Sequence, residues 1–150
     1  MIETAVRRSG ELFESGWYCA ESILIAVTEE LDVRCEPIPR IATGFCSGLA
    51  RTGGLCGALS GAILTIGIAA GRDAAEDPID PAYVLVRAIL RRFEERFDAT
   101  TCLELIGCDL ATDEGRQRYT EAGRHERCAE YVRGATRMVL EALDEEDGRR

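Results

Sequence analysis

The residues from Thr52 to Gly71 carry no charge, and this run constrains the fold more than any other feature of the chain. Such a stretch must be shielded from water, either in a bilayer or at the centre of a packed protein. It is only just long enough to span a bilayer. Gly53, Gly54, Gly57, Gly61, Gly67 and Gly71, with Thr52, Ser60 and Thr65, make it weakly hydrophobic, and no second span stands elsewhere to pack against it. The run therefore reads as a buried central helix from about Gly54 to Ala70, with Cys56, Leu59, Ile63, Ile66 and Ala70 on one face. An integral membrane protein is not expected.

Helical periods recur on both sides of it. Ile2, Val6, Ser9 and Phe13 share a face and Gly16 is placed to stop that helix. Cys19 opens a second run to about Asp32, with Ile23, Ala26, Val27 and Leu31 on its apolar side and Glu21 in its first turn. Pro37 and Pro39 suit the start of a third helix carrying Ile41, Ala42 and Phe45. From Pro81 to Phe97 the stripe Val86, Ile89, Leu90, Phe93 and Phe97 lies opposite Arg87, Arg91 and Glu95. Cys102 starts a short turn or helix. Asp109 to Glu126 has no apolar period and reads as a loop with a solvated helical lead-in. A last helix carries Cys128, Val132, Ala135, Val139 and Ala142, and the charged tail from Asp144 to Arg150 should fray. The predicted architecture is all-α: a single compact helical bundle of about five to seven helices, forming one domain over residues 1–150.

Composition narrows the partners. A net charge of −9 argues against a nucleic-acid backbone or an anionic membrane surface, which repel acidic proteins. Small molecules and other proteins remain. All 18 basic residues are arginine, so lysine chemistry is excluded. With a single histidine, His125, serine hydrolysis and histidine-based zinc catalysis are disfavoured. His125 stands three residues before Cys128, near enough to act as base or ligand, but its charged neighbours point to exposure. The segment before Cys56 lacks the lysine of a P-loop.

Seven cysteines are many for 150 residues. The N-terminal residues Met1 to Arg8 hold no apolar h-region, so a cytoplasmic, reducing location is expected. No Cys-x-x-Cys pair occurs among Cys19, Cys35, Cys46, Cys56, Cys102, Cys108 and Cys128, which weakens zinc-ribbon and thioredoxin readings. Any site must be assembled from separate helices. Cys56 is placed for the first turn of the central helix, where free N–H groups and the helix dipole stabilise a thiolate and lower its pKa. Gly53, Gly54 and Gly57 bare the backbone around it for a second thiol, a ligand or a cluster. Alternatively, Gly57 and Gly61, four apart, serve only close packing of a neighbouring helix. Cys19 also begins a helix, and it would partner Cys56 if the two helix starts meet. Trp17 and Tyr18 before it read as core anchors. Cys102, Cys108 and Cys128, each alone, read as small buried hydrophobes.

Taken together, Gly16-Trp17-Tyr18-Cys19-Ala20-Glu21, the glycine-rich Gly48 to Gly61 with Cys56-Gly57-Ala58, and then Cys102 and Cys128 resemble the C_GCAxxG_C_C family, whose name implies redox chemistry. The likeness extends to Arg51-Thr52-Gly53, to Phe93 and Phe97 before Cys102, and to Leu105-Ile106-Gly107 after it. It implies four functional cysteines, Cys19, Cys56, Cys102 and Cys128, with Gly57 and Gly61 giving a cofactor or thiol close access. Tyr18 stands where relatives often carry a small polar residue, and Cys46 where a glycine is usual. Cys35, Cys46 and Cys108 fall outside the signature, and Cys46 and Cys108 would be auxiliary thiols if they project into the same cavity.

Three functions follow as expectations. The first is thiol–disulfide exchange with a redox partner protein or small thiol, Cys56 attacking as a low-pKa thiolate and Cys19, Cys102 or Cys128 resolving. The second is an iron–sulfur or other metal centre held by the same four cysteines. The third is a non-catalytic helical partner protein, in which the cysteines are core filler. A homo-oligomer is compatible with each.

Overall fold

The central helix exists, and its first half is buried all round. In the computed structural model, which describes residues 1–148, α4 spans Gly57–Ala70, and Ala58, Leu59, Ala62, Thr65 and Ile66 are fully buried. Small residues let its neighbours approach closely: a Cβ built on Gly61 would lie 2.8 Å from the Ala20 carbonyl oxygen and 2.9 Å from its Cα. Among the described residues there are eight helices. They are α1 (Ile2–Glu14), α2 (Cys19–Glu30), α3 (Cys46–Arg51), α4, α5 (Asp80–Phe97), α6 (Cys102–Ile106), α7 (Asp113–Glu121) and α8 (Arg124–Asp147), with a 3-10 turn at Arg40–Phe45 before α3. α4 packs against α2, α5 and α8, while α1 lies along α2 and α8. The Thr136 and Ser9 hydroxyls meet at 2.9 Å in the α1–α8 seam. Among the described residues no helix is long and apolar enough to cross a membrane.

The all-α expectation holds, with more helices than the about five to seven expected. The polar stretch after Asp109 forms a true helix, α7, because Thr112 caps it, its hydroxyl accepting from the Gly115 N–H at 2.9 Å. Nor does the chain fray from Asp144: α8 continues to Asp147, with Glu145 paired to Arg92 at 2.5 Å. The end of that expected tail, residues 149–150, lies outside the described residues. Leu31 caps the end of α2 and is exposed rather than on the buried face.

Two corrections concern the segment before α4. The helix expected after Pro37 and Pro39 is instead a 3-10 turn followed by a left-handed turn, α3, in which Ser47, Gly48, Leu49, Ala50 and Arg51 all have φ between 53° and 70°. Such a conformation costs L-residues roughly 1–2 kcal/mol each, so other contacts must hold it. The Thr52 hydroxyl lies 3.2 Å and 3.0 Å from the Gly48 and Leu49 carbonyl oxygens, and the Gly54 N–H donates to the Gly48 carbonyl at 3.1 Å. In addition, α4 starts at Gly57 rather than Gly54, because the chain before it is extended and pairs with the segment before α6. That pairing is an isolated antiparallel bridge between Leu55 and Thr101.

Buried apolar side chains fall into two groups. The larger includes Leu59, Ile66, Ile89, Phe93, Tyr131, Val132 and Val139; the smaller is Ala20, Leu24, Ala42 and Cys46. Cys19 packs against both.

Candidate functional site

The Leu55–Thr101 bridge sets the geometry of the site. The Cys56 N–H donates to the Thr100 carbonyl at 2.8 Å and the Cys102 N–H to the Gly54 carbonyl at 2.7 Å, so the starts of α4 and α6 are laced together. Cys56 is the N-cap of α4 and Cys102 the first residue of α6. Thr101 caps α6, accepting from the Glu104 N–H at 3.3 Å. Cys19 is the first residue of α2, a start braced by Glu21, whose carboxylate accepts from the Tyr18 N–H at 3.0 Å and the Thr43 hydroxyl at 2.7 Å. Cys128 lies one turn into α8, and α8 is tied to α6 by the Tyr131 hydroxyl donating to the Leu105 carbonyl at 3.2 Å.

All four of these cysteines line one cleft of about 410 Å³. Two glycines make room for the sulfurs. A Cβ on Gly57 would sit 2.2 Å from the Cys19 Sγ, and one on Gly48 would sit 2.3 Å from the Cys102 Cβ and 3.3 Å from its Sγ. Gly48 also has φ +63°, so its lack of a side chain serves the turn as well as the thiol. Gly61 plays a different part: it faces the Ala20 backbone and does not border the cleft. The two readings of the glycine pair therefore divide, Gly57 serving a sulfur and Gly61 serving helix packing.

The electrostatics overturn the expectation of a low-pKa Cys56. Its sulfur does accept from the Ala58 and Leu59 backbone N–H groups, as a helix start should allow. Burial outweighs them and pushes the thiol up to about 12, with Cys128 and Cys102 adding to the rise. Cys102 is pushed up to about 11, first by burial and then by Cys128 and Cys108. Cys128 is also raised by burial, although a hydrogen bond from Tyr119 opposes the shift. At neutral pH these three are thiols. Cys19 and Cys128 are the half-buried members of the set, while Cys56 and Cys102 are buried.

Sequence reasoning missed α7's contribution. Tyr119 lines the cleft and hydrogen-bonds to Cys128, and Arg116 lines it too. A lone aromatic in a polar stretch was the available clue. His125 is exposed as expected, yet it borders the cleft and stacks on Phe13 at 4.5 Å between ring centroids. Trp17 and Tyr18 are not core anchors: they are exposed at the rim. Neither Cys46 nor Cys108 lines the cleft, and Cys35 is exposed elsewhere.

Four thiols are chemically apt donors for iron or zinc. As the side chains stand, however, no group of three or more His, Cys, Asp or Glu among the described residues could hold a metal ion. The arrangement does not fit a metal centre without movement of these side chains.

Residues 17–142 match the family model described as "Putative redox-active protein (C_GCAxxG_C_C)". An uncharacterized protein of Archaeoglobus fulgidus is 30% identical over 154 residues, covering 96% of each chain. No solved structure matches. The family match spans the segments that place Cys19, Cys56, Cys102 and Cys128 around the cleft, and the chain belongs to the C_GCAxxG_C_C family.

Proposed function

We propose that this protein performs thiol–disulfide exchange in the cleft, with Cys19 meeting the incoming disulfide and a second thiol, from among Cys56, Cys102 and Cys128, resolving it. The observation that carries this reading is the convergence of four cysteines from four separate segments on one cavity. Cys19 is assigned the first step because it is half-buried beside the exposed Trp17 and Tyr18, whereas Cys56 is sealed and held protonated. A disulfide-bearing protein or a small disulfide is the substrate class that such a rim admits.

The step balances as two thiols for one disulfide. Cys19 loses its proton to solvent and its sulfur attacks one sulfur of the substrate, whose S–S bond breaks to release one thiol. The resolving thiol then attacks the Cys19 sulfur of the mixed disulfide and releases the second. Two electrons and two protons pass from protein to substrate.

Redox titration of the anaerobic protein in glutathione buffers, with thiol counting, tests this. Oxidation should remove two free thiols per chain, and Cys19→Ser should prevent most of that loss. If all seven thiols stay free across the titration, the proposal fails; stoichiometric iron with visible colour in the same preparation would replace it with a metal centre.

A further inference from the structure

Cys46 lies outside the cleft and outside the family signature, but it stands beside the thiol that meets the disulfide. It is 5% exposed, set in the smaller core group with Ala20, Leu24 and Ala42, and Cys19 packs against that group as well as against the main core. Both residues converge on the bare Cα of Gly57. A Cβ built there would lie 2.2 Å from the Cys19 Sγ and 3.2 Å from the Cys46 Cα. The interaction with Cys19, ahead of burial, pushes the Cys46 thiol up, opposed by the Ala20 and Glu21 backbone N–H groups at the start of α2. The share due to Cys19 is lost once Cys19 is tied up in a mixed disulfide. The Cys46 thiol donates to the Ala42 carbonyl at 3.6 Å. The N-terminus of α2 is thus aimed at Cys46, a residue of another element, while its own Cys19 turns toward the same point. Cys46 leads directly into the left-handed turn, whose next residues Ser47 and Gly48 form the cleft wall.

We infer that Cys46 is a fifth redox thiol of this chain and closes on Cys19 to form a Cys19–Cys46 disulfide. The inference rests on the reading of Cys19 as the thiol that meets a disulfide. Its chemistry is the same exchange with a different resolving group. Cys19 attacks a small disulfide RSSR and one RSH departs; Cys46 gives up its proton, attacks the Cys19 sulfur, and the second RSH leaves. The two protein thiols are oxidised and the small disulfide is reduced to two thiols. Because Cys46 does not line the cavity, this disulfide draws Cys19 out of the cleft and leaves Cys56, Cys102 and Cys128 reduced within it. The protein then has two oxidation routes from one entry thiol. One stays in the cleft; the other takes Cys19 out of service until a reductant restores it.

Peptide mapping of the wild-type protein decides the matter without relying on any variant's folding. The reduced protein is exposed to oxidised glutathione, free thiols are trapped at each time point with excess N-ethylmaleimide in denaturant, and cross-linked peptides are identified by mass spectrometry. The expected product is a Cys19–Cys46 linked peptide that accumulates to at least the level of any other Cys19 disulfide. In a parallel Cys46→Ala sample, the Cys19–glutathione mixed disulfide should persist several-fold longer. If Cys19 is found joined only to Cys56, Cys102 or Cys128 while Cys46 remains alkylated, the inference is overturned and exchange in the cleft stands. If Cys19 never leaves the free-thiol pool, both are overturned.

Discussion

At the scale of single residues, the site is shaped as much by missing side chains as by the sulfurs themselves. Gly57 and Gly61 are four apart on α4, but the atoms facing them differ in kind. At Gly61 an added methyl meets the Ala20 backbone at 2.8 Å, which can yield only by pushing α2 away. Gly61→Ala should therefore cost about 1–3 kcal/mol of unfolding free energy, the usual range for overpacking, while leaving the rate of Cys19 alkylation near wild type. At Gly57 the nearest atom is the Cys19 sulfur at 2.2 Å, the mobile end of a side chain. Gly57→Ala should lose less stability but change the Cys19 alkylation rate several-fold and reduce its pairing with Cys46. Urea unfolding and timed iodoacetamide labelling of the two variants separate these outcomes, and equal labelling rates would remove Gly57 from the thiol site. The sequence showed the glycines and the spacing of the cysteines; it could not show which glycine faced a sulfur, because both partners come from α2, a distant segment. The raised pKa of Cys56 was hidden for the same reason. Its helix-start location is local, whereas the burial that outweighs it comes from the larger core group, to which Cys102 also belongs.

At the scale of elements, strongly periodic segments were readable and irregular ones were not. The stripe on α5 places Ile89 and Phe93 in the core, and the run from Cys19 yields α2 with Ile23, Ala26 and Val27 buried. α7 escaped because it is polar all round and buries only Gly115, although Thr112 and the acidic Asp113 and Glu114 mark its start. The left-handed α3 escaped more completely, since Ser47, Leu49, Ala50 and Arg51 are not residues that favour positive φ. Its conformation is imposed by the thiol site, through the Gly48 contact with Cys102 and the Gly54 hydrogen bonds on either side. That strain is measurable. Ala50 is exposed at φ 54°, ψ 44°, so Ala50→Gly should stabilise the protein by about 1 kcal/mol, the αL penalty less the extra chain entropy of glycine. The corresponding rise in Tm is about 2–4 °C for a chain of this size. Ala88→Gly within the right-handed α5 should go the other way by a similar amount. Differential scanning calorimetry of the two variants reads both, and a loss of stability in Ala50→Gly would mean that α3 is not left-handed in solution.

At the scale of the whole molecule, the cleft is a product of the complete fold: Phe13 of α1, Cys19 of α2, Cys56 before α4, Cys102 of α6, Tyr119 of α7 and Cys128 of α8 all border it. Burying several thiols together couples folding to pH. In the unfolded chain each thiol ionises near its ordinary value of 9.0, whereas in the folded protein Cys56 is pushed up to about 12 and Cys102 to about 11. Below pH 9 both states hold these protons and the full stability is present. Above pH 9 the unfolded chain releases them first, so it binds fewer protons than the native state and stability falls as pH rises. Each of the two cysteines contributes a slope of at most about 1.4 kcal/mol per pH unit, persisting to about 11 for Cys102 and about 12 for Cys56. No lysine titrates in that range and the arginines remain charged, so the fall reports thiols and phenols. Cys46 and Cys128 are pushed up as well and add to the fall, and burial shifts Tyr119 in the same direction. Urea unfolding of the reduced protein from about pH 8 to about pH 10.5 should therefore show a steep fall. Cys56→Ala should be less stable at pH 8 but show a shallower slope, since one of the protons held only by the native state is gone. A wild-type stability flat over this range would mean that the cleft thiols are solvated, and the exclusion of Cys56 from the first step of exchange would lose its basis.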